Sequence, residues 1–547
     1  MLPTLLSLAA LLPSAPVPQG KVDWNPRNAE HLLNRAGFGG TVADIEAATA
    51  AGLGATIERL LARATPSEMP AYERIVEPTN KELEGLPKEE QDKRRRAARE
   101  ADRRQMLETT AWWFREMSRS ESPLQEKLTL FWHGFFTTSI EDAKRSFIVI
   151  QQHEFLRENA LGSYADLLRG IAQDPAMLVY LDNNVNRKGS PNENFARELM
   201  ELFSLGEGNY TEADVKEAAR ALTGRGTDRE GRYEFRARQH DDGEKTILGV
   251  KGRIDGDRLI EILLEQEACP RWVARRLLAW FEGVEPDARR LDEYARFLRV
   301  QHFQIRPFLR KLFADPRFYR DEVVGARVLS PVEYMIGMAR RAQVDAPPGL
   351  LGAGAALLGQ RVFSPPSVKG WEEGHAWITT STLMQRGNLA GMLLGVVKVA
   401  DVMSMADVEA EMAAAGTPGG EPMGEGPRER GPGPESRPAR DAGAGGAAGS
   451  KPPAAKAKAP RANPAMDILR RVESSGWYPL VNFRARLERA GVATDAEIVD
   501  RLLDELLAIQ APADTRARLR AFLAAERQQL GLADGALLTI GGQAERV

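Results

Sequence analysis

The sequence predicts a mainly α-helical protein, one large multi-helix domain with one small β-hairpin. Apolar residues recur at helical spacing through most of residues 25–400, as in LQEKLTLFWHGFF. Helix caps recur as well: Thr211 precedes a helical pattern and Gly224 follows it. Strand-like alternation is confined to RYEFRARQHDDGEKTILG, where Asp242-Gly243 predicts the turn of a hairpin over residues 233–249.

Residues 1–20 predict an export segment. An apolar run over residues 2–12 leads into a Pro-rich stretch. A bilayer span takes about 20 apolar residues, so this run does not cross a membrane, but it resembles the core of a secretory signal. A buried N-terminal strand or helix is the alternative, because no Lys or Arg precedes Lys21 and Pro16 follows Ser14-Ala15. We expect a periplasmic or extracellular protein with no transmembrane helix.

Composition excludes several classes of function. The 74 basic and 77 acidic side chains leave a net charge of −3, so no nucleic-acid partner is expected. Cys269 is the only cysteine, which excludes an intrachain disulfide and a thiolate metal cluster. The chain contains no P-loop, dinucleotide fingerprint, HExxH motif or nucleophile elbow.

A Gly-, Pro- and Ala-rich linker is predicted between the helical main domain, residues 25–400, and the C-terminal part. Residues 409–465 contain no Ile, Leu, Val, Phe, Trp or Tyr, so they cannot bury enough apolar area to offset chain entropy and should be disordered. Helical periodicity returns in residues 466–547. We expect these C-terminal helices to dock on the main domain, because apolar residues such as Leu503 and Leu506 need a partner.

The stretch SPNENFARELMELFSLGEG, residues 190–208, predicts a capped helix with functional residues along one edge. Ser190, Pro191 and Glu193 fit a capping box with proline in the first turn. Asn192 and Glu198 fall over or beside the apolar stripe, where a polar group needs a partner. Glu198 is therefore the candidate catalytic acid or base.

Asparagines are dense before and within this helix: Asn183, Asn184, Asn186, Asn192 and Asn194. Turn and cap chemistry explains such a cluster, and so does a polar pocket. In a pocket, Asn192, Asn194 and Arg197 would contact the ligand.

The stretch QHDDGEK holds a second candidate site. His240 and Asp241 are candidate ligands of a divalent metal, and Lys245 is a candidate contact for an oxyanion. A metal site needs three or more protein ligands, so Glu198 or His153 would have to complete it. Turn chemistry is the alternative explanation of this stretch.

Aromatic residues give two further expectations. Trp371 and Trp377, with Arg386 nearby, stand in a Gly- and Pro-rich loop that would line a carbohydrate or peptide groove or plug a helix junction. His133 and His153 stand in aromatic-rich helices, which favours core residues with satisfied hydrogen bonds.

Seven stretches carry a resemblance to a known family: HLLNRAGFGGT (31–41), KLTLFWHGFFTTS (127–139), DPAMLVYLDNN (174–184), NENFARELMELFSLGEGNYTEADVKEAARALTG (192–224), QHDDGEKTILG (239–249), SPVEYMIG (330–337) and PPSVKGWEEGHAWI (365–378). With these stretches in order over residues 28–395, the chain resembles the bacterial domain-of-unknown-function 1800 family. The resemblance implies frequent export and a sulfatase-like partner protein encoded nearby. Phe203 stands where many members carry a histidine, which weakens the case for catalysis.

Two functions are therefore expected. The first is an exported protein that binds a polar polymer, such as a glycan, or the sulfatase-like partner through an Asn- and Trp-lined groove. The alternative is an exported metal-assisted hydrolase or transferase that uses Glu198 with His240 and Asp241. Convergence of these three residues in one cleft would favour the alternative.

Overall fold

The computed structural model describes residues 21–62, 68–404, 464–479, 481–507 and 511–536. Helices make up 61% of the described residues, and the strands among these residues form two small two-stranded sheets, which confirms the prediction of a mainly α protein. The predicted export segment and all but the last two residues of the predicted linker lie outside the described residues. Within those ranges, no helix combines the length and the apolar character that a bilayer span requires.

Within the described part of the chain, eleven α-helices, α1 to α11, precede the first strand. Their bounds are Pro26–Ala36, Val42–Ala51, Leu53–Leu61, Lys88–Arg119, Pro123–Phe135, Ile140–Ala143, Ser146–Glu158, Tyr164–Ile171, Pro175–Tyr180, Asn194–Glu201 and Glu212–Ala221. The cap at α11 is as predicted: Thr211 forms a capping box with Asp214, and Gly224, with φ +79°, follows the end of the helix.

Helices α12 to α22 follow the strands. Their bounds are Gly256–Glu265, Ala268–Glu282, Ala288–Val300, Ile305–Ala314, Pro331–Ala342, Pro348–Leu357, Thr380–Leu393, Pro464–Ser474, Phe483–Arg489, Asp495–Leu506 and Ala513–Leu530. Short 3-10 turns at Asn183–Val185, Ala237–Gln239, Pro316–Tyr319 and Gly374–Trp377 connect some of these elements.

The strands form two hairpins where the sequence predicted one. Strand β1, Arg225–Thr227, pairs with β2, Tyr233–Phe235, and β3, Lys245–Ile247, pairs with β4, Val250–Gly252. The predicted pairing of the segment at Tyr233 with the segment at Ile247 is wrong. The reason is the turn at Leu248-Gly249, where both residues have positive φ (+49° and +80°), the geometry of a tight hairpin turn.

Two hydrophobic clusters hold the helices together. The first core includes Leu128, Phe131, Trp132, Phe195, Leu277 and Phe281. The second core includes Trp113, Leu130, Phe147, Ile336, Leu350 and Leu389. Helix α5 supplies buried residues to both cores, since its apolar side chains point in more than one direction. The seam between the cores therefore runs along α5.

Helix α19 packs on the second core. Met466, Leu469 and Val472 are buried there. The predicted linker ended at residue 465, but Pro464 and Ala465 already belong to this helix. Farther along, Arg486 donates hydrogen bonds to the carbonyl oxygens of Ala342 (3.0 Å) and Arg341 (3.2 Å). Docking of the whole segment 466–547 stays a prediction, because residues 537–547 lie outside the described residues.

Candidate functional site

Helix α10 begins later than the sequence predicted, at Asn194. Ser190 does not cap it and instead forms an isolated bridge with Arg187. The side-chain oxygen of Asn192 accepts a hydrogen bond from the Asn194 backbone N–H (2.9 Å), which satisfies the N–H of the first residue of the helix. The predicted capping box of Ser190 and Glu193 is therefore wrong.

Glu198 is half-buried on α10, and burial raises the pKa of its carboxyl group. Glu201 adds to this rise, while Lys369 and Arg197 oppose it. Arg197 itself pairs with Glu212 (2.6 Å) and is half-buried. The carboxyl group of Glu198 interacts with Glu201, Lys369 and Arg197, and not with His240 or Asp241. The three predicted catalytic residues therefore do not contact one another.

The asparagine cluster binds the protein's own backbone. Buried Asn183 donates to the carbonyl oxygen of Arg225 (2.8 Å), and buried Asn186 donates to that of Ala219 (2.9 Å). The Asn186 oxygen accepts from the Asn192 N–H (3.0 Å). These bonds fix the loop before α10, so turn chemistry, one of the two alternatives, accounts for Asn183, Asn186 and the Asn192 side chain. Asn194 is exposed.

The QHDDGEK turn is held by internal bonds as well. Asp241 pairs with Arg220 (2.8 Å), which, together with the Gly243 N–H, lowers the pKa of its carboxyl group to about 2. The His240 Nδ1 lies 2.9 Å from the Thr223 carbonyl oxygen. Buried Lys245 donates to the carbonyl oxygens of Asp241 (2.6 Å) and Gly243 (3.0 Å).

A metal site at His240 and Asp241 requires a third ligand. Within the described part of the chain, no three His, Cys, Asp or Glu residues are grouped so that they could hold a metal ion. Both carboxylate oxygens of Asp241 already accept hydrogen bonds from Arg220. Turn chemistry is therefore the better explanation of this stretch.

The two tryptophans of the Gly- and Pro-rich loop line a groove of about 270 Å³, here called the tryptophan groove. Its walls come from α5, the end of α13, the loop before α16 and the 3-10 turn Gly374–Trp377. The lining includes Phe131, Arg276, Trp280, Glu285, Arg327, Ser330, Gln360, Trp371, Glu372, Glu373, His375 and Trp377. None of the predicted asparagines lines this groove. Of the two residue types expected in the lining, asparagine and tryptophan, only tryptophan is present.

Two glycines allow the walls of the tryptophan groove to meet. Gly283 ends α13 with φ +77°, and a Cβ there would lie 2.7 Å from the backbone N of Arg327. Gly370 has φ +89°, and a Cβ there would lie 2.8 Å from the carbonyl oxygen of Gly134. Both positions therefore require glycine, for φ and for space. The Trp371 loop and the loop before α16 consequently pack directly on their neighbouring helices.

The tryptophans of the groove differ in exposure. Trp280 and Trp371 are half-buried, whereas Trp377 is 7% exposed. The Arg327 guanidinium lies 4.2 Å from the centre of the Trp280 ring, within the range of a cation–π contact. Arg386, predicted as a ligand contact, is buried beneath Tyr334 and donates to the carbonyl oxygen of Leu329 (3.0 Å). It is absent from the lining of the groove.

A buried ion cluster, Lys127, Arg327 and Glu333, lies behind the groove. Lys127 pairs with Glu333, whose side chain is 1% exposed, and Arg327 pairs with the other oxygen of Glu333 at 2.8 Å. The two cations hold the pKa of the Glu333 carboxyl group well below its usual range. Burial lowers the pKa of Lys127 to about 8, although Glu333 opposes this shift.

The two aromatic-region histidines are both core residues. His133 accepts a hydrogen bond from the Phe363 N–H at Nε2 (3.0 Å), as predicted. His153 is 1% exposed, and neither ring nitrogen has a hydrogen-bond partner among the described residues. The prediction of a satisfied core residue is therefore wrong for His153. Its ring lies 4.3 Å from that of Trp113 and 5.4 Å from that of Phe363.

Sequence reasoning missed Trp280, Arg276 and Arg327. Arg276 and Trp280 are four residues apart in WVARRLLAWF, a spacing that places them on one face of α13. This spacing can be read from the sequence, but it does not indicate whether that face of the helix lines a groove. Arg327 precedes α16 in a loop without a motif. At Phe203, where many family members carry histidine, the ring is fully buried and packs 5.5 Å from that of Phe136.

These observations define a helical protein with a polar, tryptophan-lined groove. The family model described as "Protein of unknown function (DUF1800)" matches residues 31–540, so the chain belongs to this family. No curated protein and no solved structure matches the chain.

Proposed function

We propose that the protein is an exported binding protein that holds a glycan in the tryptophan groove. The observation that carries the proposal is the composition of the lining, in which Trp280, Trp371 and Trp377 stand among charged and amide side chains. Sugars present both apolar C–H faces and hydroxyl groups. The half-buried indole rings of Trp280 and Trp371 suit the first, and residues such as Gln360 and Arg276 suit the second.

Binding without catalysis agrees best with the contacts of the predicted catalytic residues. Asp241 is paired with Arg220, and His240 is bonded to Thr223. Glu198 has its own neighbours on α10 and at Lys369. A hydrolase or transferase would need these groups to act on the same substrate atoms, which their separate partners do not favour.

Replacement of Trp371 by alanine is expected to weaken glycan binding about tenfold or more, because a stacked aromatic residue in a binding site contributes ~1–3 kcal/mol. Binding would be measured with the full-length protein by pull-down on a panel of insoluble glycans and by native electrophoresis in gels that contain soluble ones. Trp280→Ala should have the same effect on the same glycans.

Trp24→Ala is the matched control. Trp24 is also half-buried, but it packs against Tyr319, and it is not among the residues that line the groove. It should retain wild-type binding. Failure of the wild-type protein to bind any glycan of the panel, or equal loss in all three variants, would remove the support for the proposal.

Export is expected to remove the N-terminal segment. The apolar run over residues 2–12 supports this, and cleavage should fall after roughly residue 15. N-terminal sequencing of the protein from the periplasmic or secreted fraction of its native host tests the expectation. Recovery of the protein with Met1 intact in the cytosolic fraction would contradict it. Co-purification from the same fraction tests the sulfatase-like partner that the family resemblance implies.

A further inference from the structure

The charges behind the tryptophan groove do not balance. Four cations lie within electrostatic reach of the Glu333 carboxylate: Lys127 and Arg327 by direct pairing, and Arg35 and Arg386 at longer range. Arg35 is 5% exposed and Arg386 is 7% exposed. One buried carboxylate therefore faces four largely buried cations.

A second buried carboxylate, that of Glu282, does not correct this surplus. Glu282 lies within electrostatic reach of Arg35, but its two oxygens accept hydrogen bonds from buried Arg290. Arg35 uses its own Nη2 to donate to the carbonyl oxygen of Val323 (3.1 Å). Its charge is thus only partly offset, since a carbonyl dipole does not neutralise a full charge.

Arg327 is the member of this positively charged cluster that lines the groove. This side chain lines the groove, and it links buried Glu333 to the face of Trp280. Its Nε has no hydrogen-bond partner among the described residues. Charges in a poorly hydrated interior act over longer distances than charges in water, so the wall at Arg327 is positive toward the groove.

Carboxylates on the rim are a weaker, opposing influence. Glu285 pairs with Arg275 (2.9 Å), and Glu373 pairs with Arg276 (3.2 Å). Glu372 is exposed on the rim, where water and salt screen its charge. The positive wall therefore decides the preference for a ligand that reaches it.

From this arrangement we infer that the groove selects an anionic polymer, with units that carry carboxylate or sulfate groups, and places one such group near Arg327. The inference rests on the proposed glycan-binding function and narrows its substrate class. An acidic polypeptide would meet the same charge but would not need the tryptophan rings. The net charge of −3 makes attraction of polyanions to the protein as a whole unfavourable, so binding would come from this wall.

The test compares three polymers with one backbone: dextran, carboxymethyl-dextran and dextran sulfate of matched length. The full-length protein should bind at least one anionic form ten times more tightly than dextran at 50 mM salt, and the difference should shrink at 200 mM. The two anionic arms distinguish carboxylate from sulfate. Trp371→Ala should abolish the preferred binding.

Rim variants test the charge argument without disturbing the interior. Glu372→Gln should tighten binding of the anionic polymer severalfold and change binding of dextran by a smaller factor. Glu84→Gln, an exposed change outside the lining of the groove, is the matched control and should change neither. Arg276→Gln should weaken binding of the anionic polymer by a larger factor than binding of dextran.

Other outcomes would contradict either the inference about charge or the proposed glycan binding. Equal binding of all three dextrans, sensitive to Trp371→Ala, would refute the inference and leave the glycan function standing. Binding of anionic polymer that Trp371→Ala does not change would place the charge site outside the groove and refute the inference. Equally tight binding of poly-glutamate would overturn the choice of a glycan, and binding of no polymer would overturn both proposals.

Discussion

Replacement of Glu333 by glutamine is expected to lower the free energy of unfolding by about 3–5 kcal/mol, the usual cost of removing one partner from a buried ion pair. Glutamine keeps the shape of the side chain but leaves Lys127 and Arg327 buried without a counter-charge. Urea unfolding at pH 7, followed by circular dichroism and by tryptophan fluorescence, measures the change. Coincidence of the two curves checks that a single free energy describes the transition.

Two matched variants separate this effect from the loss of any ion pair. Glu58 pairs with Arg310 at 2.7 Å, but both side chains are largely exposed, so Glu58→Gln should cost less than about 1 kcal/mol. Lys127→Met should also cost less than Glu333→Gln, because it removes one of the surplus cations and leaves Arg327 paired with Glu333. A larger loss for Lys127→Met than for Glu333→Gln would show that the charges behind the groove are balanced after all.

The second large effect is expected at His153. Replacement of His153 by leucine should leave stability at pH 7.5 unchanged or higher, since it removes a buried ring with no hydrogen-bond partner among the described residues. It should also make the pH dependence shallower below pH 6.5, by up to ~1.4 kcal/mol per pH unit. Urea unfolding of both proteins at pH 7.5, 6.5, 5.5 and 5.0 measures the difference.

The direction follows from proton binding. Burial lowers the pKa of His153 well below its ordinary value, and electrostatic interactions with His133 and Arg157 add to this. Below pH 6.5 the unfolded chain therefore binds a proton that the folded protein does not, and stability falls as the pH falls. Burial raises the pKa of Glu30 and of Asp174 to about 7, which acts in the opposite direction, but both proteins in the comparison carry these groups.

His133→Leu is the control for this experiment. Burial lowers the pKa of His133 to about 3, so this variant should flatten the pH dependence as His153→Leu does. It should, however, cost ~1–3 kcal/mol at pH 7.5, because the Phe363 N–H loses its acceptor. If His153→Leu keeps the wild-type pH dependence, the ring takes up protons in the folded protein and the explanation is wrong.

Much of the fold was predictable because local periodicity carries it. The spacing of Leu124, Leu128 and Phe131 predicts a helix that the structure has at Pro123–Phe135. The cap at Thr211 is equally local. The hairpins were not predictable in the same way: Asp242-Gly243 forms a turn within a network of Arg220 bonds, and the strand-closing turn lies at Leu248-Gly249, whose sequence gives a weaker turn signal.

The candidate site divides in the same manner. Trp371 and Trp377 share one loop, so their common groove could be expected from the sequence. Trp280 and Arg327 come from segments far away in the chain, and only the packing of α13 against the loop before α16 brings them to the same wall. The asparagines were wrongly predicted to line the groove because asparagine is common both in turns and in ligand-binding sites, and the sequence does not distinguish the two.

The tryptophan groove lies at the seam between the two cores, so a ligand bound in it should stabilise the folded protein. Phe131 of the first core and Leu130 of the second both line it, together with residues of α13 and of the loop before α16. A ligand that touches residues of both cores therefore stabilises the contact between them. At a concentration one hundred times its dissociation constant, such a ligand adds about 2.7 kcal/mol to the free energy of unfolding. The melting temperature of the protein should therefore report whether a ligand occupies the groove.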